Sequence, residues 1–169
     1  MRVLGIDPGL ASTGIAIVDG EALAVSDYAF GAIRTRPDTP LPDRLRRIYD
    51  GVIRAIDDMS PEVVAVEDVF SLDRYPKSGI TLGKVTGVIL LAACHRSLPI
   101  MEIAVREAKQ ILTGSGNAGK VQLEVCVRSR LNHPEPIRPE HASDALALAL
   151  TGLYRSCGPA AAALNRRKR

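Results

Sequence analysis

Four side chains in three separated segments, Asp7, Glu67, His141 and Asp144, have the types and settings that could hold divalent cations. Asp7 ends the run Arg2-Val3-Leu4-Gly5-Ile6, which reads as a buried central strand, and Pro8-Gly9 turns the chain directly after it. Glu67 ends a second apolar run, Val63-Val64-Ala65-Val66. A carboxylate at the tip of a buried strand is unfavourable unless a cation or a set of donors compensates it. The carboxyl ends of neighbouring strands are also where open α/β sheets place their ligands. His141 and Asp144 lie three apart in a helical pattern, so they project from one face. Together these groups form an oxygen-rich set suited to a hard cation such as Mg²⁺. Two such ions ~3.5–4 Å apart would activate a water and stabilise the leaving oxygen of a phosphodiester. Each residue also has a plainer reading. Asp7 could cap a turn, Glu67 could be a solvated strand end, Asp144 an exposed helix position, and His141 a surface or capping residue. The joint pattern, in which carboxylates would repel one another without cations, favours the metal.

The elements that must position these groups follow from periodicity. Ser12 to Val18 alternates as a second strand, Asp19-Gly20 predicts a tight hairpin turn, and a third strand runs from about Ala22 to Ile33. Leu45, Ile48, Tyr49, Val52 and Ile56 recur at the helical period within Leu41 to Asp57, with Arg44, Arg46, Arg47 and Arg54 elsewhere around the helix. Ser60-Pro61 ends it. After the Glu67 strand, residues 70–79 read as a loop, Ile80 to Cys94 as an apolar helix, Leu98 to Ala104 as a strand and Arg106 to Leu112 as a short helix. Gly83 and Gly87 permit a close helix contact. Further helices are predicted over Lys120–Leu131 and about Pro139–Tyr154, with Leu146, Ala149, Leu150 and Leu153 facing the core. The order βββ-α-β-α-β-α-α defines an α/β class: a mixed sheet opened by an antiparallel meander and covered by helices.

A chain of 169 residues suits one domain, here 1–157, followed by a basic tail, 158–169, expected to be disordered. No apolar run approaches a membrane span and no charged-then-apolar leader is present, which predicts a cytoplasmic protein. Cys94, Cys126 and Cys157 are widely spaced and lack zinc-ligand spacing, so they are expected to be reduced and buried. Residues 1–73 carry 7 Lys/Arg against 13 Asp/Glu, whereas residues 74–138 carry 10 against 4. An acidic segment beside a basic one fits a metal-charged site next to a polyanion.

The motifs LGIDPG, VAVEDVF, LGKVTGVILLA, REAKQ…GSGNAGK and HASDALALAL occur in an order and spacing that resemble the RuvC Holliday junction resolvases, within the ribonuclease H-like nucleases. The resemblance spans roughly Arg2 to Leu153. It implies a mixed five-stranded sheet flanked by helices, and a homodimer cutting two opposed strands of a four-way DNA junction in recombination and repair. It also implies a link to the RuvA–RuvB branch-migration machinery. Asp7 would bridge two Mg²⁺ ions, Glu67 and Asp144 would each hold one, and His141 would complete the coordination of one. Lys109 and Lys120 match family lysines that contact DNA near the scissile phosphate, and Phe70 matches an aromatic that stacks on junction bases, although Phe70 could equally pack in the core. Arg74, Tyr75 and Lys77 on the adjoining loop are candidate backbone contacts. The family's last motif usually carries two aspartates; here the first is His141. An imidazole in place of a carboxylate removes one negative charge and moves the site towards metals such as Mn²⁺. Glu140 points about 100° away on the helix and is not a substitute.

Three alternatives compete. A YqgF-type nuclease of ribosomal RNA precursors shares a GIDPG-like opening but is shorter and lacks the glycine-bearing helix. Sugar kinases and actin-like ATPases need a second domain that this length does not accommodate. A junction-binding module without chemistry would not need the acids. The Ile80–Cys94 helix, apolar nearly all round, is expected either deep in the core or half in a subunit interface.

Overall fold

The computed structural model describes residues 1–68 and 76–156, with the side chains of 76–78 excepted. Phe70, Arg74 and Tyr75, the side chain of Lys77, Cys157 and the basic tail therefore lie outside the described residues. The strands are β1 (Arg2–Asp7), β2 (Ser12–Glu21), β3 (Ala24–Arg34), β4 (Val63–Glu67) and β5 (Ile100–Ile103). The helices are α1 (Leu41–Met59), α2 (Pro76–His95), α3 (Val105–Thr113), α4 (Lys120–Leu131) and α5 (Glu140–Arg155). One sheet runs β3-β2-β1-β4-β5, with β1–β2 and β2–β3 antiparallel and β1–β4 and β4–β5 parallel. The expected meander and the neighbouring acid-tipped strands are both present. Three helices follow β5, as the expected Arg106–Leu112, Lys120–Leu131 and Pro139–Tyr154 segments require, so the order βββ-α-β-α-β-α-α is one helix short.

Two local expectations are overturned. Asp19-Gly20 is not the hairpin turn: β2 continues to Glu21, the ladder shifts register at Asp19/Gly20, and the turn falls at Ala22-Leu23, with Ala22 at φ 55°. Long strand pairing with a bulge prevails over the local turn signal. Residues 76–79 are helical, since α2 starts at Pro76, and a proline in the first helical turn forfeits no hydrogen bond. The cysteines also differ from expectation: Cys94 is exposed on α2 and Cys126 is half-buried.

The two-residue period of the strands divides the core. Leu4, Ile6, Val64 and Val66 face α1 and α2, packing with Ile48, Val52, Val85 and Ile89. Val3, Ala16, Val63 and Ala65 face the other side, where α5 supplies Leu146, Ala149, Leu150 and Leu153. Asp7 and Glu67 continue the second series, two residues past Gly5 and Ala65, so both carboxylates emerge on the α5 side. The register pairs Gly5 with Ala65 and Ile6 with Val66, and the next step sets Asp7 beside Glu67. α5 lies close enough to reach them because the strands beneath it carry glycine. A Cβ on Gly5 would come within 2.7 Å of the Ala149 amide nitrogen, and one on Gly14, the cross-strand partner of Asp7, would run into the carbonyl oxygen of His141.

Candidate metal centre

α5 begins at Glu140 and places His141 and Asp144 in its first turns, directly over the β1 tip. His141 Nδ1 lies 2.6 Å from Asp7 Oδ2. One ligand atom each from Asp7, His141 and Asp144 lie within 4.8 Å of one another, a cluster of the size a single cation would bridge. Glu67 stands outside that trio but joins it through a side-chain hydrogen bond to Asp7. All four line a cavity of about 290 Å³ between β1, β4, α3, α4 and α5, with Lys109 and Lys120 also on its wall. The structure thus brings together the four predicted ligands and both predicted lysines.

Electrostatics at this site run against the unliganded carboxylates. Burial lifts the Asp7 carboxyl from 3.8 to about 7, and the Asp144 charge adds to the effect while the Glu67 hydrogen bond and Lys120 oppose it. Burial likewise raises Glu67 to about 8, reinforced by its hydrogen bond to Asp7 and by the Asp7 and Asp144 charges. Burial and the neighbouring charges thus push both carboxyls of this pair towards the protonated form. Burial also raises Asp144, against the pull of Lys120. One buried and two half-buried acids held away from easy ionisation beside an imidazole form a donor set that a divalent cation would complete, because its charge supplies what desolvation removes. The residues fit such an ion.

Sequence reasoning missed one arrangement. Lys120 Nζ lies 3.1 Å from Glu140 Oε1 and 3.8 Å from Asp144 Oδ2. Glu140, set aside as a ligand, is thus the anchor of a lysine, and its carboxyl is held below the usual range mainly by the Lys120 hydrogen bond. The Gly119-to-Lys120 helix start was legible in the sequence. Its reach across to α5 is set by tertiary packing.

A mixed β3-β2-β1-β4-β5 sheet with acids at the tips of two parallel strands and on a crossing helix defines the ribonuclease H-like class. The family model described as crossover junction endodeoxyribonuclease RuvC matches residues 3–152. A curated RuvC from Syntrophotalea carbinolica is 45% identical over 150 residues, covering 89% of this chain and 92% of the relative. One from Parafrankia is 41% identical over 166 residues, covering 98% and 92%. The solved structure of T. thermophilus RuvC in complex with Holliday junction substrate aligns with a TM-score of 0.87 at 34% identity, covering 93% of this chain and 95% of that one. The chain belongs to the RuvC family of crossover junction endodeoxyribonucleases.

Proposed function

We propose that this protein is a structure-selective endonuclease that resolves four-way DNA junctions by divalent-metal-dependent phosphodiester hydrolysis on two opposed strands, in recombination and repair. The observation that carries the reading is the convergence of Asp7, His141 and Asp144, with Glu67 behind Asp7, in a chain of this family. Asp7, Glu67, His141 and Asp144 would hold the ions, two per site and Mg²⁺ or Mn²⁺. Bound there, divalent ions supply an activated water and charge neutralisation at the phosphate. The chain's own contributions are separate. Asp7 and Glu67, both raised by burial, must ionise before both can serve as ligands. His141 is held against Asp7 by its Nδ1 contact, which fixes the ring. Lys109 and Lys120 supply fixed positive charge on the cavity wall, where a phosphate would lie. Phe70, Arg74, Tyr75 and Lys77 remain proposed DNA contacts on the segment after Glu67.

A homodimer accords with α2. Its buried side packs Val85, Ile89, Ala92 and Ala93 against the sheet and α1, while Ile80, Gly83, Gly87 and Leu91 form an exposed, mostly apolar stripe. Neither glycine has an atom within 4 Å of where its Cβ would be, so a second helix has room to approach. An isologous pair would present two matched sites to a pseudo-symmetric junction. Cooperation with a RuvA–RuvB branch-migration complex, a cytoplasmic location and a single nuclease domain over 1–157 complete the reading. Among the described residues no helix is long and apolar enough to cross a membrane.

The deciding experiment is nicking of a synthetic four-way junction, a linear duplex and an RNA substrate with Mg²⁺ or Mn²⁺, beside Asp7→Asn. Paired, metal-dependent nicks in the junction alone, lost in Asp7→Asn, are expected. Preference for RNA would favour the ribosomal RNA precursor reading, and binding without nicking a module without chemistry.

A further inference from the structure

A second concavity stands apart from the metal centre. It is a groove of about 950 Å³ between the end of β3, the following loop and the outer face of α1. Its lining includes Arg34, Arg36, Arg44, Arg46, Arg47 and Arg54. Against these six guanidiniums stand Asp43 and Asp50 in the lining and Asp38 at its edge. Arg36 is matched bidentately by Asp38, at 3.1 and 2.7 Å, and Arg46 reaches Asp43 at 3.5 Å. The other four have no carboxylate within ion-pair distance among the described residues.

Two of those four are fixed in place. Arg44 donates from Nε to Thr35 Oγ1 at 2.8 Å, and Arg47 donates from Nε to the carbonyl oxygen of Arg34 at 2.8 Å. In both, the Nε–H is spent on the protein, and among the described residues the terminal nitrogens have no hydrogen-bond partner. A guanidinium held this way loses little conformational freedom on meeting an anion, and its planar fork suits phosphate oxygens. A merely solvated helix face would gain nothing from such anchoring. The groove is also tied to the metal centre. Thr35 is buried, its hydroxyl donates to the Leu10 carbonyl, and its amide donates to the Ala11 carbonyl at 3.1 Å. Leu10 and Ala11 belong to the turn that follows Asp7, so one buried threonine fixes the groove's upper end to the turn beside the site.

We infer that this arginine groove seats the phosphate backbone of a duplex arm of the DNA substrate, away from the scissile phosphate. The inference rests on the junction-nuclease reading and extends it: the metal centre and its lysines act at the cleavage point, whereas the groove holds an arm without reading its bases. Neutralising phosphates releases counterions, with a slope in log affinity against log salt of about 0.9 per contact.

The test measures binding of a synthetic four-way junction across a salt series, without divalent ions, for the full chain and two double variants. Arg44→Gln/Arg47→Gln removes the anchored pair. Arg34→Gln/Arg54→Gln removes the pair with no side-chain partner among the described residues, whose loss leaves the hydrogen bonds of Arg44 and Arg47 intact. Each double variant should lower the salt slope by about 2 and weaken binding about 30-fold near 0.15 M salt. Trimming the junction arms stepwise should weaken the unaltered chain and bring it level with the variants. An unchanged salt slope in Arg34→Gln/Arg54→Gln, with the unaltered chain binding the junction normally, overturns the inference and leaves the nuclease reading intact; the groove would then suit an acidic protein surface. Failure of the unaltered chain to bind any junction overturns both.

Discussion

Replacing Asp7 by Asn should stabilise the cation-free protein at pH 8 while abolishing cleavage, and both effects have one cause. Asp7 is buried, and burial is the main reason its carboxyl rises from 3.8 to about 7. An acid whose folded pKa exceeds its unfolded value binds more protons folded than unfolded between the two. The folded state is therefore fully favoured below about pH 4, and that advantage is lost as pH rises through about 7. At pH 8 the fold carries an ionised carboxylate where it is poorly solvated. A shift of about three units corresponds to about 4 kcal/mol at ~1.4 kcal/mol per unit. That shift is already net of the attraction of Lys120, and in the variant this ammonium loses Asp7 as a charge partner while the His141 ring, 2.6 Å from Oδ2, loses a carboxylate neighbour. Asn keeps the shape and an oxygen that can accept from His141, so a net gain of about 2 kcal/mol is expected, or roughly 4–8 °C in Tm for a chain of this length. Thermal unfolding with EDTA at pH 8, 6.5 and 5 measures it. The gain should shrink at each step down. Saturating Mg²⁺ or Mn²⁺ should stabilise the native chain through preferential binding and leave Asp7→Asn unmoved, reversing their order. Junction nicking should fall by on the order of 10³-fold or more. A variant less stable than the native chain at pH 8 in EDTA, or a difference that ignores pH, would refute the reasoning.

The same pair sets the pH dependence of metal affinity. Because Asp7 is raised to about 7 and Glu67 to about 8, both must lose protons to serve as ligands, so cation affinity measured by calorimetry should rise by well over tenfold per pH unit between 6 and 7, more gently between 7 and 8, and level off above about 9. His141→Asp restores a carboxylate and should shift the ratio of Mg²⁺-supported to Mn²⁺-supported nicking towards Mg²⁺; equal rates for both ions in both proteins would remove the argument. Gly14→Ala drives a methyl into the His141 carbonyl oxygen and should lose about 1–3 kcal/mol by overpacking as well as nicking rate. Gly31→Ala, whose Cβ meets nothing within 4 Å, should do neither when melting and nicking are measured side by side.

Much of this site was legible because it rests on periodicity. Two apolar runs that each end in acid had to be buried strands, and parallel neighbours of matched register bring their tips together. What was not legible depends on contacts between distant segments. Asp19-Gly20 carries a strong local turn signal, yet pairing with β3 extends across it. Pro76 looks like loop punctuation, yet it opens α2. Cys94 falls on α2's outward stripe, so the expectation of burial, drawn from residue type, failed there. The arginines of α1 were evident as a polar face, but nothing local indicated that the end of β3 would close them into a groove. His141 is intermediate: helical spacing placed it beside Asp144, and only the glycine-floored crossing of α5 over β1 brings its ring to Asp7.

Lys120 shows how the charge asymmetry of the sequence is used. Its ion pair with Glu140 joins side chains 65% and 62% exposed, and solvent screening leaves such a pair little to contribute. Stability does not account for its placement. The lysine lies between an exposed carboxylate at 3.1 Å and Asp144, a half-buried acid, at 3.8 Å, on the wall of the cavity that Asp7 and Glu67 also line. While that cavity holds no cation, Lys120 supplies part of the missing positive charge. Were divalent ions to take over Asp144, Glu140 alone would retain the lysine, and a weak exposed pair would yield readily to a phosphate. Glu140→Gln should then loosen Lys120 and lower its pKa without removing it. Junction affinity in saturating metal should stay within about threefold of the native chain, whereas Lys120→Met should lower it by roughly fivefold and reduce the salt slope by about 1. Equal losses from both substitutions would mean that the ion pair positions the lysine for DNA and is not a resting place.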